Sequence, residues 1–486
     1  MIFEAPPLET GEKICPKCGK TLEFSFCEKC RVKGIGEKSP AKIYLELREE
    51  EGKKGLGLLE KAIFGYDVRF VVPEIGKMLK EELPYYFKAM EIFTGAKGSI
   101  LSHDQRAGAE IIKSAFVEYC EERAESECFV VDGITPSTTS PFLTALLSCE
   151  LKKKVMGVHA TASHNPPEYN GVKVFFGKFE ADIFPEKIEV EERIESERAA
   201  KTYASFLLQK AVMFREEFYF DFMHGAGWIL MKHVLPQVGR KVRVLNREPL
   251  RDFGGLIPEP PKTHEGVFGF SSDGDMDRIA PYYRGRFVNF SEFLSICAEL
   301  GLFQGRVVVD QRVPPPVLNF LGERGVDVIL GDVGRTNQEK IAMKNNAMWC
   351  EENWHSGGYV IEGVRFYWPE AVLGFLEVLK AVGNIGVERF FRIDVPRFFS
   401  GKKKIKAVPG MNAKVVEAAE KLFPEMKISE IPSGGVRVET PTGHFIIRES
   451  NTEIGVCRIE ATGISEEMMK ENLKRGEKVV ELAKKL

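Results

Sequence analysis

The sequence predicts a multidomain α/β protein, with a small cysteine-rich module at its start and an α+β module at its end. Short apolar runs with strand composition, such as CFVVDG (128–133) and RVVVDQ (306–311), alternate with helical patterns. Near-continuous apolar strands between helices are typical of parallel sheets covered on both faces. The stretch VRVETPTGHFIIRESN (436–451) instead predicts a hairpin that turns at Thr442 and Gly443, flanked by helices.

The cysteine-rich module has the ligand spacing of a zinc ribbon. Cys15 and Cys18 form one Cys-x-x-Cys pair, and Cys27 and Cys30 form a second pair eight residues later. Four thiolates at this spacing suit tetrahedral Zn²⁺, whose binding energy folds a segment too short for its own core. Chance spacing or a redox pair is the alternative. Four protein ligands close the site, so the zinc would be structural and the module a surface for a protein partner or self-association.

Composition and charge limit the classes of function. The chain has 486 residues, which at typical domain sizes suggests roughly three or four domains. A net charge of −3 provides no basic field, which argues against a nucleic-acid partner. No segment approaches the roughly 20 apolar residues of a membrane span, and the N-terminus lacks the pattern of a signal peptide. The six cysteines outside the zinc pairs are scattered and make no disulfide framework, which predicts a reducing, cytoplasmic location.

A loop with three alternating aspartates is the strongest metal candidate. In SSDGDMDRIA (271–280), Asp273, Asp275 and Asp277 follow an apolar run, and Arg278 comes directly after them. Three carboxylates converging on a point favour Mg²⁺, and an adjacent arginine suits a phosphate close to that ion. An EF-hand would need a glutamate at the position of Arg284, so that reading fails. A solvated acidic turn is the remaining alternative.

Three other polar stretches lie between apolar segments. ATASHNPPEYNGVK (160–173) places Ser163 between a small residue and a histidine, with no triad partner in the sequence around it. RESNTE (448–453) has the side chains of an anion-binding turn, although serine and asparagine are also ordinary turn residues. CEENWHSGGYV (350–360) offers carboxylates and amides to sugar hydroxyls, or is a plain surface loop.

In their order along the chain, ATASHNPPEYNGVK, DGDMDR, EEN…SGG and RESNTE resemble the motifs of the α-D-phosphohexomutases, the phosphomannomutase/phosphoglucomutase superfamily. The resemblance runs from about residue 60 to the C-terminus and includes AIFGYDVRFVV (62–72), HDQR (103–106) and DGITPSTTSP (132–141). It implies three related α/β domains with mixed or parallel sheets around a central cleft, followed by a C-terminal α+β domain. The predicted boundaries are 1–40 for the zinc ribbon, 55–185, 186–285 and 286–395 for the α/β domains, and 396–486 for the last domain.

The resemblance also implies roles for single residues. Ser163 would carry a phosphoryl group, with the Mg²⁺ held by Ser163 and the three aspartates. His164 would contact sugar or phosphate, and Lys173 and Arg69 would be the acid/base candidates. A hexose 1,6-bisphosphate would be both intermediate and activator. The implied substrate-binding residues are Tyr66, Arg278, Arg312, Arg335, Glu351, Asn353, Ser356, Arg448, Ser450, Asn451 and Thr452.

Departures from the family pattern concern the sugar more than the phosphoryl group. The second domain lacks a usual helix and connection before the metal loop. Glu351 with Asn353 fits the sugar-binding pattern, but Ser356 fits its later serine, and Arg312 stands where many members have lysine. The sequence therefore predicts a mutase for mannose or glucose phosphates. A phosphoglucosamine mutase, a non-catalytic sugar-phosphate-binding paralogue, and a zinc-ribbon adaptor are the alternatives.

Overall fold

The computed structural model describes most of the chain in two compact units. The described residues are 10–18, 20–22, 26–27, 32–60, 63–64, 67–123, 127–177, 192–260, 266–408, 410–431, 434–449 and 456–486. The first unit takes residues 1–19, 35–288 and 355–387, and the second takes residues 20–34, 289–354 and 388–486. Among the described residues, no helix combines the length and apolar composition that crossing a bilayer requires.

The N-terminal segment forms two small antiparallel strand pairs and one helix. Its elements are β1 (Thr10–Ile14), β2 (Phe26–Cys27), β3 (Val32–Lys33), β4 (Ile35–Lys38) and α1 (Pro40–Glu50). Strand β1 pairs with β4 and β2 pairs with β3, both antiparallel. Ser39 caps α1 by accepting a hydrogen bond from the Lys42 amide, which satisfies one of the helix's open N–H groups.

A seven-stranded sheet follows. Its elements and helices are β5 (Ile63–Phe64), β6 (Asp67–Val71), α2 (Val72–Thr94), β7 (Gly98–His103), α3 (Ala109–Glu121), β8 (Glu127–Ile134), α4 (Thr139–Leu151), β9 (Val155–Ala160), β10 (Tyr169–Gly177) and β11 (Arg193–Glu195). The strand order is β11-β8-β7-β9-β10-β6-β5. Strands β11, β8, β7 and β9 are parallel, and β10, β6 and β5 continue antiparallel. Because β9 is one of the parallel strands, the loop that follows it begins at the carboxyl edge of these strands.

Helix α1 is anchored to this domain by a buried ion pair. The Arg48 guanidinium lies 2.7 Å from the Glu82 carboxylate of α2, and the Tyr44 hydroxyl donates to the same carboxylate. Tyr44 is fully buried and Arg48 nearly so. Removing one partner of such a pair leaves a buried charge unpaired, which is strongly destabilising. The helix after the cysteine pairs is therefore part of this domain's core.

Two of the scattered cysteines form a disulfide that the sequence pattern does not predict. The structure joins Cys120 of α3 to Cys128 of β8 in a disulfide, with Cα atoms 6.1 Å apart. That separation is within the range that a disulfide spans. The pairing depends on how α3 and β8 pack, which the scattered cysteine spacing does not show.

The next segment builds a smaller sheet. It consists of α5 (Ser196–Leu207), β12 (Phe214–Asp221), α6 (Trp228–Val238), β13 (Gly239–Leu245), β14 (Phe268–Ser272), β15 (Ile279–Tyr283) and β16 (Arg286–Phe287). The order is β13-β12-β14-β15-β16, with β12 parallel to both neighbours and β14, β15 and β16 antiparallel. The metal-loop sequence is the turn between β14 and β15.

The middle of the chain contributes to both units. In the second unit lie α7 (Phe290–Glu299), β17 (Gly305–Val309), α8 (Pro315–Glu323), β18 (Val326–Leu330), α9 (Arg335–Asn345) and β19 (Met348–Cys350), with β17 parallel to β18 and β19. The first unit receives the hairpin β20 (Ser356–Ile361) and β21 (Val364–Pro369), then α10 (Ala371–Ile385). Helix α10 packs on the smaller sheet through Phe375, whose ring meets Phe218 and Phe270.

The opposite face of the smaller sheet is polar. Parallel strands are ordinarily covered on both faces. Here Arg243 of β13 pairs with Glu217 of β12 at 2.9 Å and stacks its guanidinium over the Tyr219 ring. Glu217 and Arg243 are exposed, and Tyr219 is half-buried. Charged side chains thus line the face where the sequence lacks a helix.

The chain ends in an antiparallel sheet with two helices. After α11 (Val387–Phe391) come β22 (Phe399–Lys406), α12 (Met411–Leu422), β23 (Lys427–Glu430), β24 (Val436–Thr440), β25 (Gly443–Glu449), β26 (Val456–Gly463) and α13 (Glu466–Ala483), in the order β22-β26-β25-β24-β23. Strands β24 and β25 form the hairpin that the sequence predicts. The α/β class with an α+β end is therefore confirmed, whereas the domain boundaries stay predictions.

Candidate active site

The loop after β9 holds Ser163 in an unusual backbone conformation. Ser163 is 4% exposed and has a φ of 54°, in the left-handed region that few residues other than glycine adopt. Its amide donates to the Thr161 hydroxyl at 2.9 Å, and that hydroxyl donates to Asp104 at 2.6 Å. Strain of this kind persists only where the surroundings enforce it, and it often occurs at functional sites.

Arg106 enforces the loop. Its guanidinium donates to four carbonyl oxygens of the loop, those of Ser163, Asn165, Pro166 and Tyr169, at 2.5 to 3.0 Å. Arg106 is fully buried and pairs with Asp104 at 3.3 Å. Arg106 lies in the HDQR segment, from which the sequence pattern predicts no role for it. Because its contacts reach about sixty positions along the chain, no local pattern points to them.

The three aspartates of the metal loop converge. Each of Asp273, Asp275 and Asp277 is at most 2% exposed, and one oxygen from each lies within 4.8 Å of the others. Met276 bends the loop with a φ of 56°. A Cβ on Gly274 would lie 2.9 Å from the carbonyl oxygen of Ser163, so only glycine permits this approach of the two loops.

The serine and the acidic cluster meet directly. The Ser163 hydroxyl donates to the Asp273 carboxylate with Oγ 3.0 Å from Oδ2. Lys173 of β10 places its ammonium 2.7 Å from Asp275 Oδ2 and also bonds Asp277. The structure therefore brings together the predicted phosphoserine, the predicted metal ligands and one predicted acid/base residue.

The electrostatics of the cluster favour a bound cation. Burial and the charges of Asp277 and Asp275 raise the pKa of Asp273 well above its ordinary value. Burial alone would raise the pKa of Asp275 too, but the Lys173 ammonium outweighs it and lowers that pKa. Lys173 has a raised pKa because the aspartates outweigh its burial, so it stays charged. Three buried carboxylates with one ammonium among them fit a hard divalent cation such as Mg²⁺.

His355 is a residue of this cluster that sequence analysis missed. Its Nε2 lies 3.3 Å from Asp277 Oδ2, and its backbone forms an isolated bridge with Arg278. The Arg278 guanidinium lies 3.7 Å from Asp277 and 3.9 Å from Asp273. His355 follows the acidic pair in CEENWHS. Because this loop fits the family pattern both through Glu351 and Asn353 and through Ser356, the sequence does not single out His355.

His164 and Arg69 flank the serine loop. Arg69 donates to the Thr161 carbonyl at 3.2 Å and lies 3.9 Å from Asp67. His164 is half-exposed, and its Nε2 lies 3.8 Å from Glu259. Arg69 is thus hydrogen-bonded to the backbone of the serine loop, and the ring of His164, the residue after the serine, lies near a carboxylate.

The second unit contains a separate charged cluster. Arg312 is bonded by Asp310, whose carboxylate accepts from its Nε at 3.0 Å, and lies 3.9 Å from Glu351. Glu351 is 5% exposed and accepts a hydrogen bond from the Gly334 amide at 3.0 Å. Sequence analysis missed Asp310, which orients Arg312.

The other predicted binding residues are scattered or not described. Arg335 begins α9, Arg448 lies 3.7 Å from Glu460 on neighbouring strands, and the Ser356 hydroxyl is buried 2.8 Å from that of Tyr359. The Asn353 amide oxygen has no partner among the described residues. Tyr66, Ser450, Asn451 and Thr452 lie outside the described residues, as do Cys30 and the Cys27 side chain. Cys15 is buried and Cys18 exposed.

Comparison with known proteins agrees with this architecture. Residues 76–201 match the family model of phosphoglucomutase/phosphomannomutase, alpha/beta/alpha domain I. A crystal structure of a phosphoglucomutase/phosphomannomutase family protein from Burkholderia thailandensis superposes with a TM-score of 0.65 at 18% identity, covering 87% of this chain and 97% of its own. The chain has a phosphohexomutase fold. Parafusin, a phosphoglucomutase from Paramecium, is similar with a TM-score of 0.60 at 15% identity, covering 87% and 96%.

The sequence relatives of this chain have the names of phosphoglucosamine mutases. A probable phosphoglucosamine mutase from Pyrococcus abyssi is 26% identical over 78% of this chain and 89% of its own length. A phosphoglucosamine mutase from Methanococcus maripaludis is 25% identical over 75% of this chain and 88% of its own. These matches support the superfamily, and their names agree with the alternative that the sequence left open.

Proposed function

We propose that this protein is a phosphohexomutase that interconverts hexose 1-phosphate and hexose 6-phosphate through a phosphoserine at Ser163. The observation that carries the proposal is the contact of Ser163 Oγ with Asp273 at 3.0 Å, inside a buried cluster of three carboxylates. A serine hydroxyl without a basic partner is a poor nucleophile. A serine that accepts a phosphoryl group beside a divalent cation instead needs mainly positioning and charge neutralisation.

The chemistry assigns each group near the serine a task. In the forward step the bond from phosphorus to Ser163 Oγ breaks, while a bond from phosphorus to a sugar hydroxyl oxygen forms. The proton that the sugar hydroxyl loses ends on Ser163 Oγ, and Lys173 and Arg69 are the acid/base residues proposed for this transfer. Asp273, Asp275 and Asp277 would hold the Mg²⁺, which would neutralise charge on the phosphoryl oxygens. The bisphosphate would then return its other phosphate to Ser163.

The preferred sugar is proposed as glucosamine phosphate. The relatives with phosphoglucosamine mutase names cover three quarters or more of this chain, which favours this sugar over mannose and glucose. In the second unit, Glu351 and Arg312 are the charged groups proposed to bind the sugar phosphate, together with Arg448. We place this reaction in the cytoplasm.

A substrate panel tests the proposal. Purified enzyme with Mg²⁺ and catalytic amounts of glucose 1,6-bisphosphate is given the 1-phosphates of glucosamine, glucose and mannose, and 6-phosphate formation is followed. We expect turnover with the highest kcat/KM for glucosamine 1-phosphate. Ser163→Ala is expected to abolish turnover and to remove a mass increment of one phosphoryl group. A preference for mannose or glucose would overturn the sugar, and no turnover with any sugar would favour a non-catalytic paralogue.

We further propose that Cys15, Cys18, Cys27 and Cys30 bind one structural Zn²⁺. The support is their paired spacing, which suits tetrahedral thiolate coordination. The module would contact a protein partner or a second copy of the chain. Metal analysis of protein purified without chelator is expected to give one zinc per chain, and Cys15→Ser with Cys18→Ser is expected to remove it. Equal zinc content in that double variant would contradict the proposal.

A further inference from the structure

A loop that follows β13 is fastened to the metal loop. Its residues 250–258, which we call the Phe253 loop, begin where the Leu250 amide donates to the His224 carbonyl at 2.9 Å. At the other end, the Pro258 carbonyl accepts a hydrogen bond from the Gly274 amide of the metal loop at 3.2 Å. The Phe253 loop is therefore attached at both ends, and its second attachment is to the turn that carries the aspartates.

The Phe253 ring lies between Arg106 and the metal loop. Phe253 is fully buried, and the Arg106 guanidinium lies over its ring, 4.7 Å from the centroid. The edge of the ring faces Gly274, because a Cβ on that glycine would lie 2.8 Å from Phe253 Cε1. The same Cβ would lie 2.9 Å from the carbonyl oxygen of Ser163. Gly274 is therefore packed between the edge of the ring and the backbone of the serine loop.

A flat aromatic ring suits both of these contacts. A guanidinium presents its N–H groups in its own plane and leaves its two faces for stacking. Arg106 uses that plane to donate to the carbonyls of Ser163 and Asn165, so the ring covers a face of the guanidinium without competing for a donor. An aliphatic side chain in its place would lack the negative face that attracts a cation.

The backbone of Phe253 is strained. Its φ is 53°, in the left-handed region, and the next residue, Gly254, has a φ of 61°. A residue with a Cβ is uncommon in this region, and the conformation persists only where the surroundings enforce it. Glycine would adopt this turn more easily than phenylalanine. The contacts of the buried ring are therefore what the strained residue contributes at this position.

We propose that Phe253 is a positioning residue for phosphoryl transfer: its ring sets the distance between Ser163 and Asp273. The ring acts through Arg106, which holds the serine loop, and through Gly274, which brings the metal loop against it. The inference rests on the proposed function in taking Ser163 as the phosphorylated residue. Ser163 Oγ lies 3.0 Å from Asp273 Oδ2, and the ring contacts a group on each side of this pair. A misplacement of about 1 Å in a reacting group can lower a rate on the order of a hundredfold.

The rate of serine phosphorylation tests the proposal. Dephosphorylated full-length enzyme with Mg²⁺ is mixed with glucose 1,6-bisphosphate, and the phosphorylated fraction is followed by intact mass. In this step the bond from phosphorus to a sugar oxygen breaks, the bond from phosphorus to Ser163 Oγ forms, and the serine proton ends on the sugar oxygen. We expect Phe253→Leu to lower the rate constant at saturating bisphosphate about 10- to 100-fold, with an unchanged concentration for half-maximal rate. A wild-type rate constant, or a change confined to that concentration, would overturn the proposal.

Phe116 provides a matched control for the loss of a buried ring. It is fully buried in the first unit, and its ring packs edge-on against Phe87 at 5.4 Å. Phe116→Leu should lower the melting temperature about as much as Phe253→Leu does, because both substitutions remove a ring of the same size from a core. The phosphorylation rate of Phe116→Leu should be that of wild type. An equal loss of rate in both variants would mean that Phe253 acts only through overall stability and would contradict the positioning role.

Hydrogen–deuterium exchange separates this inference from the proposed function. In the metal-free protein we expect Phe253→Leu to speed exchange in the peptides that contain residues 161–170 and 273–278, and Phe116→Leu to leave it unchanged. Unchanged exchange of both loops in Phe253→Leu would contradict the positioning role. If Phe253→Leu does not fold, Phe253→Met takes its place with the same expectations. A wild-type protein that is never phosphorylated at Ser163 would refute the proposed function, whereas the exchange measurement would still decide whether the ring holds the two loops.

Discussion

The metal loop (273–278) and the acidic loop (350–356) differ in the groups that their carboxylates face. Both bend through a residue other than glycine in the left-handed region, Met276 with a φ of 56° and Trp354 with a φ of 66°. The aspartates of the metal loop converge on one another within 4.8 Å. Glu351 in the acidic loop instead faces the Gly334 amide and Arg312.

That difference agrees with the proposed roles of the two loops, in which the metal loop binds a cation and the acidic loop binds neutral groups. Converging carboxylates repel one another in a buried site, and a divalent ion relieves the repulsion. A carboxylate already neutralised by an amide and an arginine keeps lone pairs for hydrogen bonds without needing an ion. The metal loop should therefore lose activity but gain stability when a charge is removed, whereas the acidic loop should lose binding.

The substitution Asp273→Asn is expected to have the largest effect on the metal loop. We expect kcat/KM to fall on the order of a thousandfold or more, because a catalytic metal supplies several kcal/mol of charge stabilisation. Since burial and like charges raise the pKa of Asp273, removing its charge should also raise the melting temperature of the metal-free protein. Parallel kinetics and thermal melts with and without Mg²⁺ check both effects. Near-normal activity of the variant would show that Asp273 does not hold a catalytic metal, and a lower melting temperature without metal would show that the aspartates do not repel one another.

The Trp354 ring is expected to stabilise the conformation of the acidic loop. Its ring is 2% exposed and packs edge-on against Phe290 at 5.4 Å and beside Phe293 at 5.3 Å. The left-handed backbone costs about 1–2 kcal/mol for a residue with a Cβ, which the buried ring offsets. We expect Trp354→Ala to lower the free energy of unfolding by about 3–5 kcal/mol, and Trp354→Phe by less. Urea unfolding curves measure this, and equal curves for Trp354→Ala and wild type would mean that the ring does not hold the loop.

The two loops also show how far the sequence predicts the site. The aspartates alternate within five residues, so their convergence is a local property that the pattern predicts. The same holds for the α/β class, which follows from apolar strands between helices. His355 reaches Asp277, and Arg106 reaches the carbonyls of the serine loop, only through tertiary packing across many residues. The conformation of Trp354 likewise depends on the Phe290 and Phe293 rings, which no spacing within the loop indicates.

Glu370 is a buried carboxyl group that belongs neither to the metal loop nor to the acidic loop. It is fully buried after β21, and it accepts hydrogen bonds from the Tyr203 hydroxyl, the Trp368 indole and the Val372 amide. Burial raises its pKa from 4.5 to about 7. A raised pKa means that the folded protein keeps this proton longer than the unfolded chain, so stability is lost as pH rises from 4.5 through 7.

Glu370→Gln removes that contribution. A rise of the pKa from 4.5 to about 7 corresponds to about 3 kcal/mol of unfolding free energy, which wild type should lose over this pH interval and the variant should keep. The substitution also changes hydrogen bonds at every pH, so the informative quantity is the difference between the two ends of the interval. Urea unfolding of both proteins below pH 4.5 and above pH 7 gives it. Parallel pH profiles would mean that Glu370 ionises normally.

Glu351→Gln gives the smallest expected effect and addresses the acidic loop directly. A hydrogen bond to a charged group is worth about 1.5–3 kcal/mol, so we expect kcat/KM to fall about 10- to 100-fold, mostly through KM. Mg²⁺ affinity should not change, because Glu351 is paired with Arg312 and the Gly334 amide. Glu362→Gln, at an exposed hairpin turn, is the matched control and should behave as wild type. A loss confined to kcat, or weaker Mg²⁺ binding, would place Glu351 with the aspartates and remove the distinction between the two loops.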